Sequence, residues 1–237
     1  MNSGQTGMFL KVWRILQVWR RPAFGSGSAM LLAGLLLFMA NDVGFAQPAD
    51  KPIKIVAFGD SLTAGYMLEP SAAFPVQLEA ALKSKGHSVV VENGGVSGDT
   101  TAAGLARLDW VIAPDTKAVI LELGANDALR GIDPKVTREN LDQILTQLTK
   151  RGIKVLIAGM IAPKNWGEAY SQAFDPMFAD LARKHGALYY PFFLEGVATN
   201  AALNLNDGLH PTREGVAEIV RRILPKVEEL IAEVQAG

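Results

Sequence analysis

The chain has 237 residues, no cysteine, and 23 basic against 24 acidic side chains, a formal net charge of −1. So even a balance argues against nucleic acid as a partner, which calls for a strongly basic face. Without cysteine there are no disulfide staples, and the fold rests on its core alone.

The N-terminal part does not read as folded domain. Lys11, Arg14, Arg20 and Arg21 form a basic stretch, Ala29 to Ala40 is an uncharged apolar run, and Gly44-Phe45-Ala46 places small residues two apart. Together these make a secretory signal peptide over residues 1–46, cleaved after Ala46 to leave Gln47 at the new N-terminus of a periplasmic or secreted protein. The alternative is an uncleaved membrane anchor, because the uncharged span from Pro22 to Asn41 nearly reaches the ~20 residues that cross a bilayer. Gly25-Ser26-Gly27-Ser28 dilutes its first half, however, which favours a signal. Phe9 to Trp19 also carries apolar residues at helical spacing among basic ones, a pattern suited to a membrane surface, and Met8 is a second candidate start. The first 46 residues hold four basic and one acidic side chain, which leaves 19 against 23 and a net charge of −4 in residues 47–237. About 190 residues suit one well-buried domain.

From residue 53 onward, apolar runs alternate with helical periodicity. Ile53 to Phe58 predicts a first strand, ending at Gly59. Phe74 to Lys85 predicts a helix, with Pro75 in its first turn and Gly86 just past its end. Val89 to Val91 is a second strand, and Thr100 to Leu108 a short helix capped by Asp99 or Thr100. Ala118 to Leu121 is a third strand, followed by a helix over Thr137 to Lys150 with Leu141, Ile144, Leu145 and Leu148 on one face. Val155 to Ala158 is a fourth strand, Ser171 to Lys184 a helix, Leu188 to Tyr190 a fifth strand, and Thr212 to Val234 the closing helix. The strands are continuous apolar runs, as expected when helices cover both faces of a sheet. The pattern predicts a three-layer α/β/α sandwich around a mostly parallel five-stranded sheet. Ligands then bind beyond the carboxyl ends of the strands.

Four loops at that edge carry the unusual residues. After the first strand comes Gly59-Asp60-Ser61-Leu62-Thr63, where a strand-to-helix turn exposes the Ser61 hydroxyl, although Asp60 or Ser61 also suits a plain helix cap. After the second comes Asn93-Gly94-Gly95-Val96-Ser97-Gly98-Asp99, a turn whose glycines admit a ligand close to backbone N–H groups. After the third comes Gly124-Ala125-Asn126-Asp127, where Asn126 offers two side-chain N–H donors or, equally, an Asx turn. Before the last helix comes Asp207-Gly208-Leu209-His210-Pro211. The other two histidines, His87 and His185, sit beside glycines at helix ends, where the helix dipole explains them. His210 lies in a loop three residues after a carboxylate, a spacing that lets Asp207 hold one ring nitrogen and leaves the other free to take a serine proton.

These four blocks, in this order and spacing, resemble the SGNH (GDSL-type) hydrolase family over essentially the whole chain from Ile53 onward. Gly-Ala-Asn-Asp-Ala-Leu-Arg-Gly at 124–131 and Pro-Phe-Phe-Leu-Glu at 191–195 resemble in particular its small bacterial branch of periplasmic thioesterase I/lysophospholipase L1 and arylesterases. The resemblance implies a flavodoxin-like fold and Ser61 as nucleophile, His210 as base and then acid, and Asp207 as its orienting partner. It implies an oxyanion hole from the backbone N–H groups of Ser61 and Gly98 and the Asn126 side chain, and no metal or organic cofactor. No Gly-x-Ser-x-Gly occurs, which disfavours the larger α/β-hydrolase fold.

The expected substrate is an acyl ester or thioester, with no stable protein partner implied and a membrane only through an uncleaved N-terminus. Leu129, Met160, Ile161 and Trp166, with Met67 and Leu68, are candidates for an acyl groove, or for ordinary loop packing. Two alternatives stand beside this: a carbohydrate O-acetylesterase of the same family, and a non-catalytic lipid- or glycan-binding protein on the same fold. Three scattered histidines without a His-x-x-x-His pair disfavour a metallohydrolase.

Overall fold

The computed structural model of the chain describes residues 51–237; the expected signal peptide at residues 1–46, its cleavage after Ala46 and the alternative anchor lie outside the described residues. Five strands, β1 (Ile53–Gly59), β2 (Val89–Gly95), β3 (Ala118–Glu122), β4 (Lys154–Ala158) and β5 (Leu188–Tyr190), form one sheet in the order β2-β1-β3-β4-β5. Every neighbouring pair is parallel, so the sheet is wholly parallel where a mostly parallel one was expected. All five residues of β3 and the last five of β1 are buried, which is why these strands are apolar throughout.

Eight helices are described: α1 (Ser61–Ala64), α2 (Phe74–Ser84), α3 (Thr101–Val111), α4 (Ala125–Leu129), α5 (Pro134–Lys150), α6 (Glu168–Phe174), α7 (Met177–His185) and α8 (Arg213–Ala236). Helices α2 and α8 pack together as one layer, while α3, α6 and α7 each pack against α5 in the other. Polar caps set several helix starts. The Thr100 hydroxyl accepts from Ala103 N–H at 3.3 Å, the Asp133 carboxylate from Lys135 N–H at 2.9 Å, and the Thr212 hydroxyl from Gly215 N–H at 3.2 Å. Among the described residues no helix is long and apolar enough to cross a membrane.

Two elements differ from the sequence expectation. Strand β2 continues through Asn93-Gly94-Gly95, which pairs with Ala57-Phe58-Gly59; a turn-forming composition yields here to backbone pairing. The single helix expected over 171–184 is two, α6 and α7, parted at Asp175-Pro176. Proline supplies no N–H to continue α6, and the Asp175 carboxylate accepts the Ala162 N–H at 2.8 Å instead.

The strand order puts β1 between β2 and β3, so connections leave in opposite directions on either side of it. The crevice beyond such a reversal is where parallel sheets bind ligands. The segments following β1 and β3 both open there.

Candidate active site

Ser61 is the first residue of α1, separated from the end of β1 by Asp60 alone. Asp60 caps that helix, its Oδ1 accepting the Leu62 N–H at 3.0 Å, and its side chain is completely buried. As the first residue of the helix, Ser61 has no intrahelical acceptor for its N–H. Position 59 must be glycine, because a Cβ there would run into the Glu122 side chain and carbonyl and the Thr63 hydroxyl.

His210 and Asp207 come from a small hairpin. Asn204 bridges Pro211 in antiparallel fashion, Leu205 N–H donates to the His210 carbonyl at 2.7 Å, and Gly208 N–H to the Leu205 carbonyl at 2.9 Å. The base is anchored by Asn204, whose amide donates to the carbonyls of Val197 and Asn200 at 2.7 and 2.9 Å. On this hairpin Asp207 Oδ1 accepts the N–H groups of Leu209 and His210, while its Oδ2 lies 2.7 Å from His210 Nδ1. Those two backbone donors, with the imidazole, hold the Asp207 carboxyl down at about 2, so it is ionised throughout the physiological range. His210 Nε2 lies 2.9 Å from the Ser61 hydroxyl oxygen. The structure thus joins all three expected residues in one chain of hydrogen bonds. The Tyr66 ring lies against the imidazole, centroids 4.5 Å apart.

Asn126, in α4, donates through Nδ2 to Asp60 Oδ2 at 2.9 Å. A carboxylate accepts only from the NH2 group, so this bond fixes which way the amide points and leaves its second N–H free. Gly98 sits in the turn after β2 with φ +87°, a conformation that a residue with a Cβ adopts only under strain. Its N–H, like that of Ser61, has no acceptor among the described residues.

A cavity of about 380 Å³ opens beside Ser61 and His210. Three of the expected apolar residues, Leu129, Met160 and Ile161, line it, with Phe192 and Leu194 added. Met67 and Trp166, also expected beside the substrate, are not among the lining residues. Met67 is 76% exposed, and the Trp166 indole lies over Gly131 with its N–H donated to the Ala128 carbonyl at 2.7 Å. Its aromatic surface buttresses the loop after α4. Leu68 packs against the core.

The supporting polar contacts were not visible in the motifs, although two of the carboxylates that make them, Asp99 and Asp127, stand there. Arg107 of α3 donates from Nε to Asp99 at 2.5 Å, from Nη1 to the Gly94 carbonyl at 2.8 Å and from Nη2 to the Gly59 carbonyl at 2.9 Å, with the Phe58 ring beneath it. One guanidinium therefore ties together the ends of β1 and β2 and the Gly98 turn. The buried Asp127 carboxylate accepts the Thr101 N–H and hydroxyl at 2.8 and 2.5 Å and the Thr137 hydroxyl at 3.2 Å, joining α4 to α3 and α5. His87 and His185, assigned to helix dipoles, also have carboxylate partners: Glu228 at 3.0 Å and Asp142 at 2.6 Å.

Glu122, the last residue of β3, lies fully buried under the nucleophile turn. Its Oε2 accepts the Thr63 hydroxyl at 2.6 Å and the Asp60 N–H at 3.3 Å, and its Oε1 has no partner among the described residues. Burial, then the neighbouring Asp60 charge, pushes its carboxyl well above the usual range; burial likewise pushes Asp60 up to about 6. A carboxyl that keeps its proton in the folded state but loses it in the unfolded chain makes stability fall as pH rises. Glu122→Gln keeps the shape and removes that cost. Its stability gain should be smallest in acid, below the range where an ordinary carboxyl ionises, and should grow as pH rises toward neutrality, measured by denaturant unfolding across pH. A gain that is the same at every pH would mean Glu122 is not held protonated.

Residues 57–217 match the GDSL-like Lipase/Acylhydrolase family. The chain is 40% identical over 177 residues to an arylesterase from Vibrio mimicus, covering 73% of this chain and 88% of that one. To esterase TesA from Pseudomonas aeruginosa it is 33% identical over 205 residues, covering 86% and 99%. Among solved structures it superposes on AlinE4, an SGNH-hydrolase family esterase, with a TM-score of 0.64 at 46% identity, covering 75% of this chain and 96% of that one. With a family match over most of its length and the hydroxyl, imidazole and carboxylate aligned at the edge of a parallel sheet, the chain belongs to the GDSL-like lipase/acylhydrolase family.

Proposed function

We propose that this protein is a serine carboxylic ester hydrolase, an esterase and thioesterase that works through an acyl-serine intermediate. The observation that carries this is the run from Asp207 through His210 to the Ser61 hydroxyl, at 2.7 and 2.9 Å, opening on an apolar cavity. The arylesterase and esterase names of its relatives support the same class of reaction.

His210 takes the Ser61 proton as the hydroxyl oxygen attacks the substrate carbonyl. The ionised Asp207 holds the ring with Nδ1–H toward itself and stabilises the imidazolium. Charge collects on the carbonyl oxygen, where the free N–H of Asn126 and the backbone N–H groups of Ser61 and Gly98 are the oxyanion donors. His210 then protonates the departing alcohol or thiol. Water, deprotonated by the same ring, releases the acid and restores Ser61.

Leu129, Met160 and Ile161 take the acyl chain in this reading. Their apolar surface favours chains longer than acetyl, which sets the protein apart from a carbohydrate O-acetylesterase. Purified protein assayed on p-nitrophenyl esters of graded length, acyl-CoA thioesters and lysophospholipids should show kcat/KM rising from C2 to medium chains. A preference for acetyl would overturn the chain-binding role, and no hydrolysis of any ester would overturn the function. The reading includes residues 1–46 as an export signal; intact mass of the exported protein should begin at Gln47, and a retained N-terminus would select the anchor instead.

A further inference from the structure

The turn at Val96–Asp99 is held at its base and from two sides. At the base, Val96 N–H donates to the Gly59 carbonyl at 3.0 Å and Asp99 N–H closes the turn on the Val96 carbonyl at 3.1 Å. From inside, the largely buried Arg107 grips the Asp99 carboxylate. From outside, the exposed Arg130 donates from Nη2 to the Gly98 carbonyl at 2.8 Å. Val96, Ser97 and Gly98 are themselves exposed, so packing does little to fix the tip of the turn.

Arg130 is the residue directly after α4, the helix that carries Asn126, and its backbone N–H closes that helix on the Asn126 carbonyl at 3.1 Å. Among the described residues its side chain makes one hydrogen bond, and that bond crosses from the Asn126 helix to the Gly98 carbonyl. Among the described residues, leaving aside Gly98's chain neighbours, this guanidinium is the one group within 4 Å of where a Cβ on Gly98 would stand. Ordering a long, exposed side chain for a single hydrogen bond contributes little to folding. It does set the separation of two segments that must both reach one oxygen atom.

We propose that Arg130 is a positioning residue that clamps the Gly98 turn to α4, so that the Gly98 N–H and the Asn126 amide meet the same carbonyl oxygen. This rests on the esterase reading above. The role needs a hydrogen bond at a fixed place rather than a diffuse positive field. Loss of the clamp weakens the oxyanion donor while leaving the acyl cavity, formed by other residues, intact.

The test compares wild type, Arg130→Met and Arg130→Lys on a neutral soluble ester. Arg130→Met should lower kcat about tenfold, part of the hundredfold or more that a lost oxyanion donor costs. KM should stay within about twofold and the melting temperature should not move, since the side chain is exposed. Arg130→Lys should keep more of the rate, and guanidinium ion at non-denaturing concentration should partly restore Arg130→Met. The loss should persist at high ionic strength, which screens a distant charge but not a direct bond. An active wild type with an equally active Arg130→Met, a loss confined to KM, or a loss that vanishes in salt would each overturn the clamp and leave the esterase reading standing. An inactive wild type would instead remove the esterase reading, and this role with it.

Discussion

Ser61→Ala should reduce ester hydrolysis by roughly a millionfold, to the level of residual binding and electrostatic catalysis, and should abolish labelling by an organophosphonate. The reason lies in how little else the side chain does. Its hydroxyl meets His210 at 2.9 Å, while the local fold uses the backbone: Gly65 and Tyr66 N–H both donate to the Ser61 carbonyl, and Asp60 rather than Ser61 caps the helix. Stability should therefore shift by no more than about 0.5 kcal/mol, and the variant can be compared in its folded state. His210→Ala should fall to a similar floor, and the double variant should be no worse than either single one, because nucleophile and base act as a unit. Phosphonate labelling that survives in Ser61→Ala would place the nucleophile elsewhere.

Asn126→Ala should lower kcat by about a hundred- to a thousandfold, the usual cost of one oxyanion donor, with a much smaller change in KM. Here folding is also touched. Asp60 is completely buried and Asn126 Nδ2 is one of its two donors, so truncation strands a carboxylate oxygen and should cost about 1–3 kcal/mol of stability. Kinetics must be taken well below the variant's melting temperature. Asn126→Asp is the informative companion. It retains the side-chain volume, removes the donor and sets a second negative charge against Asp60, so it should be the slower of the two and gain rate as acid neutralises the pair. An Asn126→Ala enzyme with undiminished kcat would remove this side chain from the oxyanion site.

Much of the site was legible in the sequence because its members stand in short, unusual strings. A serine just past an apolar strand and a histidine three residues after an aspartate are local patterns with local meaning, and the structure brings them within hydrogen-bonding distance. The residues that hold them were illegible for the opposite reason. Arg107 reads as one more charge on a helix, and Glu122 as a polar residue just past a strand; their partners lie as far as 48 and 62 positions away. Spacing along a chain says nothing about such pairs. Trp166 was open to two readings, acyl groove or ordinary loop packing, because an aromatic near an open edge suits both; only the fold shows its indole N–H donated to the Ala128 carbonyl. The break between α6 and α7 shows the same limit: apolar periodicity runs through residues 171–184, and one proline overrides it.

The hairpin from Leu203 to Thr212 places carboxylate and imidazole on a single tether, closed on itself by its own backbone bonds. Three functional groups are thus delivered by two independent parts. If that tether swings outward, the contact broken is the one between imidazole and hydroxyl, and the carboxylate–imidazole couple travels intact. Reassembly is then a search over one rigid-body coordinate, with no tautomer to reset on return.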